Sequence, residues 1–65
     1  MIVTLADIRA IGYCNNGARL WFARHGLDWA AFVRQGVAEE TLAATGDAMA
    51  AAAIAQARKR IEAEA

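Results

Sequence analysis

The chain has 65 residues, a single cysteine, no proline, and seven basic residues balanced by seven acidic ones. A chain of this length builds one small core and, with one cysteine, no disulfide framework, so its stability must come from aromatic packing or from a partner chain. Charge excludes little more: through Gly36, Arg9, Arg19, Arg24 and Arg34 stand against Asp7 and Asp28. Beyond it, Arg58, Lys59 and Arg60 stand against Glu39, Glu40, Asp47, Glu62 and Glu64, and that asymmetry is too small to mark a nucleic-acid binder by itself.

Thr4 with Asp7 three residues on makes an acidic capping box, and Val3 with Ile8 has the spacing of a hydrophobic staple. A first helix is therefore predicted from Leu5 to about Ile11, stopped by Gly12, with Tyr13 placed to contact Ile8. Cys14, Asn15 and Asn16 form the connection, and either asparagine can cap the next helix.

That helix carries Leu20, Trp21, Phe22 and Ala23 in succession, so apolar bulk spreads round most of its circumference, with Arg19 and Arg24 as polar edges. It ends at Gly26, after which Leu27 falls where a Schellman cap expects an apolar contact back to Phe22. Asp28 caps a third helix, and Leu27 with Phe32 repeats the staple spacing. Trp29, Phe32, Val33 and Gly36 then recur as one narrow stripe, with Gly36 a second stop and Val37 placed to touch Phe32. Two short helices meeting at this elbow hold both tryptophans, both phenylalanines and the one histidine.

After Val37, Glu39 and Glu40 suit the positive end of a helix carrying Leu42. Gly46 either ends that helix, with Thr45 or Asp47 starting another, or lies within one long helix where Leu42, Gly46, Met49 and Ala53 share a face; the break is the preferred reading. The last segment is alanine-rich, with Ala50, Ile54, Ala57 and Ile61 as its stripe and Arg58 to Glu62 and Arg60 to Glu64 as i, i+4 pairs. The expected fold is an all-α bundle of four to five helices in one domain, short helices first and a longer alanine-rich one last. Its end, from Ala57 or Arg58 onward, is left to fray or to touch a partner. The expected core is Leu5, Ile8, Leu20, Trp21, Leu27, Phe32, Val33, Leu42, Met49 and Ile54.

No nucleophile, base and orienting group recur at a catalytic spacing, and no glycine-rich phosphate loop is present, so no catalytic residue, cofactor or small-molecule substrate is expected. One cysteine and one histidine fall short of a zinc site; Cys14 reads as a small thiol and His25 as a complement to a helix C-terminus. No secretory signal or membrane span is read, which with the lone cysteine points to the cytoplasm of a producing cell.

Arg19, Arg24 and Arg34 with Trp29 and Tyr13 supply the residue mix enriched at protein interfaces, and they are the expected partner-binding residues. The small-residue stripe of the last helix offers a weaker route to self-association. The rival is a DNA-binding helix-turn-helix. With Gly26 as its turn glycine, the position that usually takes a small residue falls on Phe22, and the second helix offers the groove one cation and a misplaced carboxylate. A protein partner or a second copy is therefore ranked above nucleic acid.

The run YCNNGARLWFARHGLDWAAFVRQGV followed by LAATGDAM resembles short helical proteins encoded by tailed phages and prophages of proteobacteria, over Thr4 to about Ala57. The resemblance implies a phage setting, in which such proteins serve as virion components, assembly factors or binders of host machinery. It carries no site residues with it.

Overall fold

A computed structural model describes residues 1–64. Five helices surround one core: α1 (Leu5–Ala10), α2 (Asn15–Arg24), α3 (Trp29–Gln35), α4 (Glu39–Ala43) and α5 (Ala48–Glu64). To the expected helices the structure adds a small sheet, in which β1 (Ile2–Val3) pairs antiparallel with β2 (Val37–Ala38), Val3 opposite Val37. Two-residue strands are too short for alternation to be read in a sequence.

The helix boundaries follow from local chemistry. Thr4 and Asp7 close the capping box on α1, and the Tyr13 amide donates to the Ile8 carbonyl past Gly12, whose φ is +86°. At the end of α2 the Leu27 amide donates to the Phe22 carbonyl at 2.8 Å and the Gly26 amide to Ala23 at 3.1 Å, the paired bonds of a Schellman motif. Asp28 caps α3, its carboxylate accepting from the Ala31 amide at 3.1 Å. The chain breaks at Gly46, and Asp47 caps α5 by accepting from the Met49 amide at 2.8 Å. The cap of α2 differs from expectation. It is Cys14, whose Sγ accepts from the Gly17 amide, while Asn15 and Asn16 are already the first turn.

Gly36 does more than stop a helix. Its φ is +77°, and a Cβ there would lie 2.5 Å from Ile2 Cγ2 and 2.7 Å from the Val3 carbonyl oxygen, so only glycine lets β1 lie against this turn. The register that results leads Val37 into the sheet opposite Val3 and sets the Glu39 amide to donate to the Met1 carbonyl, giving α4 a backbone partner where its N-cap, Ala38, has no side-chain bond.

Phe22 is the centre of the aromatic packing. Its ring lies 4.5 Å from Phe32, 5.3 Å from Trp29 and 5.5 Å from Trp21, within the range of favourable edge and tilted contacts. Val3, Ile8, Ala18, Leu42, Met49, Ala50, Ala53 and Ala57 complete the buried cluster, and Leu5, Leu27 and Ile54 pack half-buried against it. Two expected core residues are corrected: Leu20 is 66% exposed and Val33 46% exposed. The reason is angular. Leu20, Trp21 and Phe22 step round α2 by about 100° each, and because Ala18, Trp21 and Phe22 face inward, Leu20 is carried to the outer flank. On α3, burying Phe32 turns Val33 outward in the same way.

The inner face of α5 is likewise shifted, to Met49, Ala50, Ala53 and Ala57, with Ile61 exposed. Alanines there let α5 approach α1, α4 and β1 closely. The part beyond Arg58 stays helical through Glu64 and does structural work: Arg60 Nε donates to Asp7 Oδ1 at 2.9 Å, and its Nη2 donates to Asp7 Oδ2 and to the Ile2 carbonyl. Arg58 pairs with Glu39 at 3.1 Å instead of the expected Glu62, whereas Arg60 does reach Glu64 at 3.8 Å. No described helix is long and apolar enough to cross a membrane.

Candidate binding face on α2 and α3

The Cys14 cap and the Schellman turn at Gly26 bound α2 as a ten-residue helix with two unlike sides. Ala18, Trp21 and Phe22 are buried, and Asn15, Asn16, Arg19, Leu20, Ala23 and Arg24 are exposed. Leu20 thus stands in water between Arg19 and Arg24. On α3 the exposed positions are Ala30, Val33, Arg34 and Gln35.

Of the five expected partner-binding residues, Arg19, Arg24 and Arg34 are exposed, and Tyr13 is 41% exposed in the turn before α2. Trp29 is half-buried, and its ring is engaged by Phe22 at 5.3 Å and Phe32 at 5.5 Å, so most of it belongs to the aromatic core. The free surface is therefore arginine with aliphatic Leu20 and Val33 more than arginine with aromatics. Sequence reasoning missed these two aliphatics because a continuous apolar run does not say which flank faces in.

His25 closes α2 with its ring 4.2 Å from that of Trp21, and Cys14 spends its sulfur on the cap. Among the described residues no three His, Cys, Asp or Glu side chains come together as metal ligands. Two open hollows stand out among the described residues. One of about 380 Å³ lies at the α4–α5 corner beside Ala43, Gly46, Ala50 and Ile54; its one charged neighbour, Asp47, is occupied in capping α5. The other, of about 250 Å³, lies between α3 and β2 against Leu27, Phe32 and Gln35. Neither gathers a nucleophile with a base.

One carboxylate is moved from its ordinary acidity: Asp7, which faces inward and is 1% exposed. Burial alone pushes its carboxyl up, but the Arg60 guanidinium and the Thr4 amide and hydroxyl outweigh that and hold it below the ordinary value of 3.8. That makes it a fastening, since every oxygen already accepts from the protein itself.

No protein-family model matches the chain, and neither a curated protein nor a solved structure matches it.

Proposed function

We propose that the chain is a non-enzymatic helical interaction module of phage or prophage origin, a virion component, assembly factor or binder of host machinery, acting in the bacterial cytoplasm or the virion. It works by covering the outer face of α2, with Val33 and Arg34 of α3, against a protein partner or a second copy of itself. The observation that carries the reading is Leu20. A side chain of that size, 66% exposed and flanked by Arg19 and Arg24, costs little in the free protein but gains on being covered.

The sequence ranking of protein above nucleic acid has two grounds: with Gly26 as the turn glycine Phe22 falls at the small-residue position, and the second helix offers the groove one cation and a misplaced carboxylate. The same objection holds at the α1–α2 corner, where the turn glycine is Gly12 and the residue four before it is Ile8, bulky and fully buried. The module reading is tested by placing a photo-crosslinker at exposed Ala23 and irradiating in host extract. Capture of a protein that disappears in Leu20→Glu is the expected result; no capture, in a chain that also stays monomeric at every concentration, contradicts it.

A further inference from the structure

We infer that the partner of the α2 face is a second copy of this chain, whose α4–α5 hollow receives Leu20, an inference that rests on the outer face of α2 being the binding surface. Shape is the first ground. Three residues before Leu20 stands Gly17 and three after it Ala23, both exposed, so neither neighbour on that row of α2 reaches as far into water as the leucine, which is 66% exposed. Leu20 is a knob. The fold does not ask for the glycine beside it: Gly17 has no positive φ, and a Cβ there would meet only Cys14 Sγ, at an ordinary 3.5 Å. A bare backbone at this position lets another surface close around the leucine.

The α4–α5 corner supplies the matching hole. Its open hollow of about 380 Å³ is lined by small or aliphatic residues, Ala43, Gly46, Ala48, Ala51 and Ile54 among them. That is room for a leucine with the apolar stem of an arginine beside it, and covering the hollow buries apolar surface on both sides of the contact.

Charge complementarity selects a second copy as the occupant. The α2–α3 elbow, residues 15–35, sets Arg19, Arg24 and Arg34 against one carboxylate, Asp28, which is exposed and caps α3. The corner has the opposite balance. Between Arg34 and Arg58 the charged residues are Glu39, Glu40 and Asp47 alone, and Arg58 itself is bound to Glu39 at 3.1 Å. Asp47 lines the hollow, and exposed Glu40 stands one turn before Ala43 on the same row of α4. The exposed Lys59 lies more than a turn beyond Ile54, past the hollow. A leucine between two arginines thus fits a small-residue hollow beside two carboxylates, and one chain carries both halves of the contact. The zero net charge of the chain is the sum of two opposite faces.

The test is sedimentation of the intact chain from about 10 μM to about 1 mM in about 50 mM salt, a range that covers weak association. The weight-average mass is expected to rise above the monomer's 6.9 kDa with concentration, and about 0.5 M salt is expected to weaken the association severalfold. Leu20→Glu sets a carboxylate against the acidic hollow, and Ala51→Lys sets a cation against the arginines, so each alone weakens association by at least about tenfold. Both sites are exposed, and both variants keep the fold. Mixed in equal amounts they associate again, because the leucine knob of one meets the intact hollow of the other. Glu40→Lys weakens association by about threefold or more, whereas Glu62→Lys, the same charge change at the far end of α5, alters it little. An Ala51→Lys chain that associates as the intact one does, or a mixture as monomeric as either variant, overturns the inference. So does an intact chain that stays monomeric to about 1 mM. If the Ala23 crosslinker then still captures a host protein that Leu20→Glu releases, the second copy is the wrong partner and the module reading stands. If nothing is captured either, both fall.

Discussion

The α2–α3 elbow and the closure of α5 onto the N-terminal strand hold the same core by different means. At the elbow every decisive partner is a near neighbour in sequence: Phe22 meets Trp21, Trp29 and Phe32, and the caps at Gly26 and Asp28 lie between them. The closure joins Asp7 to Arg60 across 53 residues and fits β1 against Gly36. One region is dispersion and apolar burial, little affected by pH or salt; the other is a directional polar fastening around a buried charge.

The elbow should fail most severely. Phe22→Ala and Trp21→Ala are each expected to cost about 3 to 5 kcal/mol, a large share of the total stability of a domain this small, and circular dichroism should find either largely unfolded at 37 °C. Next comes the fit of the strand: Gly36→Ala combines a positive φ with overlap on Ile2 and the Val3 carbonyl and should cost about 2 to 4 kcal/mol in urea titrations. Gly12→Ala, with positive φ but open space, should cost only about 1 to 2 kcal/mol.

The polar fastening is smaller and carries its own signature. Arg60→Ala should lower stability at neutral pH by leaving Asp7 to the Thr4 donors alone, by less than Gly36→Ala. Because the folded pKa of Asp7 is depressed, the stabilisation is complete above the ordinary value of 3.8 and is lost as pH falls through the lower folded value. Urea midpoints measured down the acid limb should therefore fall less steeply in Arg60→Ala than in the wild type. The smallest effect is expected where the sequence places core but the structure shows surface: Val33→Ser should change stability by no more than about 0.5 kcal/mol.

How much of this is legible in the sequence divides along the same line. Gly12, Gly26, Asp28 and Gly46 announce the helix boundaries because caps are made by residues within a few positions of one another. The strand pair and the Asp7–Arg60 fastening depend on which segments meet after collapse, and nothing near Arg60 distinguishes it from Arg58 or Lys59. Asp7 carries a faint signal, as the acid of a capping box, but not of its second partner. The binding face is legible in its arginines and misread in its aliphatics, since Leu20, Trp21 and Phe22 are all large core-type side chains and only the packed helix tells which of them faces water.

That last distinction is the most direct point of attack, because α2 can bind a partner with one side only if the other side alone holds the fold. The measurement is the melting temperature of Leu20→Glu beside that of the wild type. A change of no more than a few degrees is predicted, since a charge at a 66% exposed site between two arginines displaces no core contact. A fall of about 15 °C or more, the mark of several kcal/mol lost in a domain of this size, would place Leu20 in the core and contradict the account.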